Sequence, residues 1–190
     1  MNELRSTLYD LLVKAEEAYG TQDAVRYKVK DADQGGKKKT KVEAKTYTQL
    51  RRDSEHISAA LTELGEQGKH IALIGATSYS WITSYYGIVN SGSVAVPLDA
   101  NLPAEDLCEL IDRADVTTLV YDETKANVAR MAAEKCPGLT HLIAMEGETS
   151  VPNALHLWEL AAKAPERTDF EPKPEDLATI MFTSGTTGMC

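Results

Sequence analysis

The sequence lacks the excess of basic charge that nucleic acids and anionic membrane surfaces attract. Its 190 residues include 20 lysines and arginines against 29 aspartates and glutamates, which gives a formal net charge of −9. A partner with dense negative charge requires a basic face, so this balance argues against nucleic acid and against a membrane surface. Every apolar stretch falls short of the roughly 18 residues of a membrane span. We therefore expect no transmembrane segment.

Cysteine is scarce, and we expect no targeting signal. Cys108, Cys136 and Cys190 are far apart and odd in number, and no CxxC pair exists, so neither a disulfide framework nor a zinc site is predicted. Residues 1–20 mix charged side chains with apolar ones and have no apolar core of signal-peptide length. These features favour a reducing compartment, and we expect a cytoplasmic protein.

Several motifs of known active sites are also absent. A single glycine follows the apolar run at 71–74, where dinucleotide-binding folds have GxGxxG, and neither the GxSxG nucleophile elbow nor a GxxxxGKS or GxxxxGKT phosphate loop is present. The histidines show no metal-ligand spacing, and three carboxylates lie on the first turns of a predicted helix, where the helix dipole and solvent account for them. We expect no metal-binding residue and no catalytic acid or base. The histidines are His56, His70, His141 and His156, and the carboxylates are Glu105, Asp106 and Glu109.

The first third of the chain predicts a helix, a hairpin and a second helix. Apolar side chains recur at helical spacing over residues 3–19, and a glycine follows them. Two strand patterns, at 24–31 and 41–48, flank a tip with two glycines and several lysines, which fits a solvated turn as well as an anion-binding patch. Thr48 is placed to cap the second helix.

Four short apolar runs then predict a parallel sheet. They are rich in Val, Ile and Leu without alternation, as in strands buried on both faces, and their starts are about 23 residues apart with helical patterns between them. This alternation predicts an α/β fold with a mostly parallel, doubly wound sheet, flanking helices and an amino-terminal β-hairpin. Trp81, Tyr85 and Tyr86 on the first of these helices are interpreted as core residues. The runs are 70–75, 93–98, 117–121 and 140–144, and the helices are expected at 79–91, 103–114 and 123–135, the last capped by Asp122.

The segment TSGTTG at 183–188 follows the last predicted strand. Residues 145–176 hold four of the seven prolines and are expected to form a connecting segment with one short helix at 155–163. The apolar run at 176–182 predicts one more buried strand. Ligands of open α/β sheets bind where strands end. The two glycines of the segment allow positive φ and close approach of a ligand, and its N–H groups and hydroxyls can bond phosphate oxygens. A phosphate-binding loop and a solvated turn both fit these residues.

Together with two upstream segments, this loop resembles the core motifs of the adenylate-forming superfamily of acyl-CoA synthetases, peptide-synthetase adenylation domains and luciferases. FTSGTTG after DLATIM is similar to the third core motif. KTYTQLRRDSEHISAAL at 45–61 is similar to the first, and residues 87–122, which include SVAVPLD, are similar to the second. The three matches stand in the order of the family.

The resemblance implies a reaction. Family members attack the α-phosphorus of ATP with a carboxylate, which yields an acyl-adenylate and pyrophosphate, and most then pass the acyl group to a thiol. The loop would hold the β- and γ-phosphates while charge builds on the leaving pyrophosphate, with Mg²⁺ helping. The implied ligands are ATP, Mg²⁺, coenzyme A and a small-molecule carboxylic acid. By match, the phosphate-binding residues are Thr183, Ser184, Gly185, Thr186, Thr187 and Gly188, with Thr183 near the metal.

The sequence departs from the family at its end, where Cys190 replaces the usual proline and the following lysine is absent. The resemblance implies that residues 1–190 are the amino-terminal part of an AMP-binding domain, truncated within the phosphate loop and inactive alone. The hairpin at 24–47 and the ending GTTGMC favour an acyl-CoA synthetase for long-chain fatty acids. The alternatives are an adenylation domain that loads an amino or aryl acid onto a carrier protein, and a non-catalytic α/β module that binds a nucleotide or a partner protein. Homo-oligomerisation stays open.

Overall fold

A computed structural model describes residues 6–30 and 40–183 of the chain. The helices are α1 Leu8–Tyr19, α2 Tyr47–Glu63, α3 Tyr79–Asn90, α4 Ala104–Arg113, α5 Ala126–Lys135 and α6 Leu157–Lys163. The strands are β1 Asp23–Lys30, β2 Thr40–Thr46, β3 His70–Ile74, β4 Val94–Pro97, β5 Val116–Tyr121, β6 His141–Ala144 and β7 Leu155–His156. Within these ranges, no helix combines the length and the apolar character needed to cross a bilayer.

The strands form a parallel five-stranded sheet and a separate antiparallel hairpin. The sheet order is β4-β3-β5-β6-β7, with every neighbouring pair parallel, and β1 pairs with β2 in the hairpin. The chain moves from β3 to β4 on one side and returns to β5 on the other side of β3. Right-handed crossovers then place helices on both faces of the sheet. The predicted doubly wound α/β fold is confirmed.

Two apolar layers cover the sheet, one on each face. Helices α4 and α5 pack on one face, and α2, α3 and α6 pack on the other. Central strands buried on both faces explain why their sequences are continuously apolar instead of alternating. The first layer includes Leu107, Ile111, Ala129, Leu119 and Tyr121, and the second includes Ile57, Ile88, Leu157, Ile71 and Leu73.

The structure has neither of the two side-chain helix caps that the sequence predicts, Thr48 and Asp122. The cap of α2 is Thr46 and not Thr48: the Gln49 N–H donates to Thr46 Oγ1 at 3.2 Å, and the Thr46 N–H donates to Gln49 Oε1 at 3.0 Å. This reciprocal pair is a capping box, which satisfies two otherwise unpaired N–H groups. The helix expected at 123–135 begins as a 3₁₀ turn at Glu123–Lys125, and the Asp122 side chain makes no cap.

The segment predicted as a buried strand at 176–182 makes only one bridge, and its burial was predicted wrongly. Thr179 lies beside Ala95 of β4 in the parallel sense, so the segment forms an outer edge next to β4. Leu177 and Met181 are 60% and 71% exposed. An edge segment has a strand neighbour on one side only, so apolar residues in its sequence do not secure burial. Likewise, the helix expected at 155–163 is preceded by the two-residue strand β7.

The amino ends of the central strands meet at a fully buried carboxylate. Glu66, in the turn before β3, accepts hydrogen bonds from the Thr117 hydroxyl at 2.5 Å and from Lys69 Nζ at 3.2 Å. His141 Nδ1 of β6 lies 3.2 Å from the same carboxylate. Burial raises the pKa of Glu66, but hydrogen bonds from Thr117, Thr118 and Lys69 outweigh it, and the pKa lies below its ordinary value. This cluster joins β3, β5 and β6 at the edge opposite the candidate site.

Candidate functional site

The candidate site lies at the carboxyl edge of the sheet, by which we mean the side where the parallel strands have their carboxyl ends. Because β3 to β6 are parallel, the loops that follow them emerge on the same edge. Open α/β sheets bind ligands outside this edge, above all where the strand order reverses. The loops are 75–78, 98–101, 122–125 and 145–150.

The predicted phosphate-binding segment also leaves from this edge. The Ala95 N–H donates to the Ala178 carbonyl at 2.9 Å, and the Ile180 N–H donates to the Ala95 carbonyl at 2.9 Å. These bonds hold the segment parallel to β4, so the exposed Thr183 follows at the carboxyl end, as the sequence predicts. Ser184, Gly185, Thr186, Thr187 and Gly188 lie outside the described residues, and their phosphate-binding role stays a prediction.

A tyrosine of α3 contacts the same segment. The Tyr85 hydroxyl lies 2.8 Å from Thr179 Oγ1. Its ring lies parallel to that of Trp81, with centroids 5.9 Å apart, and meets Tyr86 edge-on at the same distance. Trp81 and Tyr85 are partly buried against the second apolar layer, and Tyr86 is partly buried against a separate cluster of Leu12, Leu50 and Tyr79, in agreement with their interpretation as core residues. No local pattern in the sequence predicts the bond to Thr179, because the two residues are 94 positions apart.

The reversal point between β3 and β5 is closed by the chain itself. Asp122, directly after β5, accepts a hydrogen bond from the Ala76 N–H at 2.6 Å and another from the Thr124 hydroxyl. Gly75 has φ of 151°, and a Cβ there would lie 2.6 Å from Asp122 Oδ2. The carboxylate thus takes the backbone donor that an anionic ligand would use at this crevice. Asp122 was expected as a helix cap; the glycine that directly follows β3 is the local sign that another group approaches closely.

A cavity of about 700 Å³ lies between the hairpin and the loops after β3 and β6. Tyr79 at its wall is buried and donates its hydroxyl to Asp53 at 2.7 Å. Burial, and next this hydrogen bond, raise the pKa of Tyr79 far above its ordinary value, so the hydroxyl is a fixed donor and not a base. The Lys45 ammonium lies 5.2 Å from the Tyr79 ring centroid. The lining includes Lys28 and Lys45 as well as Glu43, Asp53 and Glu146, so it presents both signs of charge.

Three of the four histidines contact other elements of the fold. His56 Nδ1 lies 3.3 Å from the Ala161 carbonyl, and His70 Nδ1 lies 2.5 Å from the Ala114 carbonyl. Together with His141 beside Glu66, three of the four histidines therefore connect elements of the fold. Across residues 6–30 and 40–183, no three metal-ligating side chains form a group.

A doubly wound parallel sheet, with the described chain leading to Thr183 at its carboxyl edge, is an architecture typical of α/β domains that bind nucleotides. The family model described as "AMP-binding enzyme" matches residues 16–190. The chain belongs to the AMP-binding enzyme family.

Two relatives of the chain have names that refer to different acids. The chain is 31% identical over 160 residues to "Long-chain-fatty-acid--CoA ligase 5" of Rattus norvegicus, covering 75% of this chain and 23% of that protein. It is 29% identical over 147 residues to "D-alanine--D-alanyl carrier protein ligase" of Streptococcus pyogenes serotype M3 (strain SSI-1), covering 77% of this chain and 26% of that protein.

Solved structures share the fold. The anthranilate CoA ligase AuaEII in complex with anthranoyl-AMP superposes with a TM-score of 0.81 at 20% identity, over 98% of this chain and 34% of that one. The fatty acyl CoA synthetase of Mycobacterium tuberculosis gives 0.71 at 21% identity, over 93% and 32%. The chain thus spans about a quarter to a third of these four proteins.

Proposed function

We propose that the protein to which this chain belongs activates a carboxylic acid with ATP, forming an acyl-adenylate and pyrophosphate, and then an acyl-CoA thioester. The observation that carries this proposal is the course of residues 178–180, which run parallel to β4 and lead to the carboxyl edge of the sheet. The TSGTTG segment follows them in the sequence. Membership of the AMP-binding family supports the same reaction class.

The donor set of the segment suits a polyphosphate. Thr183 is exposed at the carboxyl edge, and residues 183–188 supply four hydroxyls and two glycines without a charged side chain. Hydroxyl and backbone N–H groups are good partners for phosphate oxygens, and glycine lets a phosphate approach the main chain. Mg²⁺, when bound with ATP, neutralises charge on the phosphates, and the Thr183 hydroxyl is the side chain that we assign near it.

We propose that residues 1–190 form the amino-terminal part of the AMP-binding domain of a longer protein and turn over nothing alone. The share of each relative that the chain covers supports this proposal. So does the exposed apolar surface of Leu177, Met181 and Phe182, which further chain would cover.

The acid that we propose is a fatty acid, with coenzyme A as acceptor. The rat relative named for long-chain fatty acids supports it. The relative that is named for D-alanine and a carrier protein supports the second candidate, an adenylation domain that loads an amino or aryl acid onto a carrier thiol.

Cys108 and Cys136 are both free thiols, which supports a reducing compartment such as the cytoplasm.

Acid-dependent exchange of pyrophosphate into ATP tests the reaction. The full-length protein is assayed with fatty, aryl and amino acids, with and without coenzyme A, beside the chain of residues 1–190. We expect exchange with fatty acids, a thioester product with coenzyme A, and no turnover by the shorter chain. Exchange with amino or aryl acids alone favours the carrier-loading enzyme. No exchange with any acid contradicts the proposal.

Replacing a loop glycine tests the phosphate-binding role. In the full-length protein, Gly185→Ala adds a β-carbon that obstructs positive φ or ligand approach, and we expect the adenylation rate to fall about tenfold, or about 1.4 kcal/mol. The control is Gly138→Ala, because a Cβ at Gly138 meets only the Val116 carbonyl at 3.9 Å. Equal rates for both variants would mean that the segment is a structural turn.

A further inference from the structure

We propose that Tyr85 is a positioning residue for the phosphate-binding segment: its hydroxyl, through Thr179, sets the path of the chain that leads to Thr183. This role depends on the proposed function, because the position of the segment matters to catalysis only if it binds phosphate. The hydroxyl and Thr179 Oγ1 are 2.8 Å apart, within the ordinary range for two hydroxyl groups.

Few described contacts hold the segment. Its sheet pairing consists of one bridge, between Thr179 and Ala95. Ala178 and Ile180 pack against the apolar layers, whereas Leu177 and Met181 face solvent. Two backbone hydrogen bonds to Ala95 hold the segment, and the bond to Tyr85 is the one side-chain hydrogen bond of residues 177–183 within the described chain.

Tyr85 itself is firmly held. Helix α3 begins at a Ser78 cap, whose Oγ accepts the Trp81 N–H at 3.1 Å. The helix lies close against α2, since a Cβ at Gly87 would come within 2.5 Å of Ile57 Cγ2. Close-packed helices of this kind do not shift without steric overlap. The Tyr85 ring, parallel to Trp81, therefore presents its hydroxyl from a fixed support.

The bond acts at the right place in the chain. Residues 178–180 run parallel to β4 and lead directly to Thr183, which lies four residues after Thr179. Fixing the direction of the Thr179 side chain therefore limits rotation of residues 178–180 about their axis. The direction in which Thr183 enters the phosphate-binding segment follows from that rotation.

Four variants of the full-length protein test the role: Tyr85→Phe, Thr179→Val, the double variant, and the control Tyr86→Phe. Tyr86 is the neighbouring tyrosine, also partly buried, and its hydroxyl has no hydrogen-bond partner among residues 6–30 and 40–183. Pyrophosphate exchange gives kcat and the KM for ATP and for the acid. Hydrogen exchange reports the Ile180 amide, which donates to the Ala95 carbonyl.

We expect Tyr85→Phe to lower kcat/KM for ATP roughly threefold to tenfold, the net effect of one hydrogen bond, with the KM for the acid unchanged. Thr179→Val should match it, and the double variant should be no worse than either single variant, because all three remove the same bond. The Ile180 amide should exchange faster in Tyr85→Phe, and Tyr86→Phe should resemble the wild type.

The outcomes separate the role of Tyr85 from the proposed function. An active wild type with unchanged ATP kinetics or unchanged Ile180 exchange in Tyr85→Phe overturns the positioning role alone. Additive losses in the double variant also overturn it. If the wild type shows no pyrophosphate exchange with any of the acids tested, the proposed function is overturned, and the role of Tyr85 with it.

Discussion

At the scale of single residues, Gly75 and Asp122 show how closely the loops of the carboxyl edge fit. Gly75 combines φ of 151° with a neighbouring carboxylate that leaves no room for a Cβ. The Asp122 carboxylate in turn receives the Ala76 N–H, so the loop after β3 is bound to the loop after β5. The two features depend on each other, because only glycine lets the carboxylate approach the backbone.

Gly75→Ala is therefore expected to destabilise the protein by about 1–3 kcal/mol, the cost of forcing a side chain into such a conformation. The melting temperature measures this effect. Gly147→Ala is the matched control, since Gly147 has φ of 62° but no atom within 4 Å of the added Cβ. We expect the control to lose less. An equal loss would show that backbone conformation alone, without the contact to Asp122, accounts for the effect.

Sequence reasoning at this scale succeeds only for local contacts. Apolar spacing correctly assigns Trp81, Tyr85 and Tyr86 to the core. The partners of Asp122 and Tyr85, however, are 46 and 94 positions away, and nothing in their own neighbourhoods identifies them. Contacts of this range are decided by the register of the sheet, which the sequence does not specify residue by residue.

At the scale of elements, helix starts carry a signal that sequence reasoning can use better. Thr46 and Thr48 both precede the apolar face of α2, but only Thr46 has a glutamine three residues later, the pattern of a capping box. The buried strands are predicted well because continuous apolar runs are distinctive. The outer segment at 176–182 is not, because its burial depends on neighbours and not on its own side chains.

The cap itself can be tested by comparing the two threonines. Thr46→Ala removes the acceptor of the Gln49 N–H, and we expect the free energy of unfolding to fall by about 1 kcal/mol. Thr48→Ala places a good helix former inside an exposed turn of α2 and should change it much less. Urea unfolding of both variants measures the difference. A larger loss for Thr48→Ala would return the cap to the position that the sequence suggested.

At the scale of the whole molecule, the two edges of the sheet have different tasks. The amino edge is tied together by the buried Glu66, and the carboxyl edge presents the candidate site. The sequence predicts this polarity, since strand order along the chain and parallel pairing place the TSGTTG segment at strand ends. The phosphate-binding role of Ser184 to Gly188 stays a prediction, since these residues lie outside the described ranges.

Glu66 should therefore affect stability and its pH dependence but not ATP binding. The pKa of Glu66 is lower in the folded protein than its ordinary 4.5, so the unfolded chain takes up the proton at higher pH. The stabilisation of the folded protein by ionised Glu66 is complete above about pH 4.5 and is lost as the pH falls through the pKa of Glu66 in the folded state. The titratable groups that face it are Lys69 and His141.

We expect Glu66→Gln to lower the melting temperature at pH 7 and to make it less sensitive to pH below 4.5, with the KM for ATP unchanged in the full-length protein. Glu63→Gln, at the exposed end of α2, is the control, and it should change neither the melting temperature at pH 7 nor its dependence on pH. Melting temperatures between pH 3 and 8 provide the comparison. If the melting temperature of Glu66→Gln falls below pH 4.5 as steeply as that of the wild type, other carboxylates govern acid unfolding.

The outer segment beside β4 also has a consequence for handling this chain. The Ala178 carbonyl and the Ile180 N–H bond to Ala95, so the N–H and carbonyl of Thr179 point away from the sheet. No strand within the described residues pairs with that outer side. Such an edge is a template for the same edge of a second molecule, and exposed Leu177 and Met181 lie alongside it. We therefore expect the chain of residues 1–190 to self-associate through backbone pairing at this edge, despite its net charge of −9.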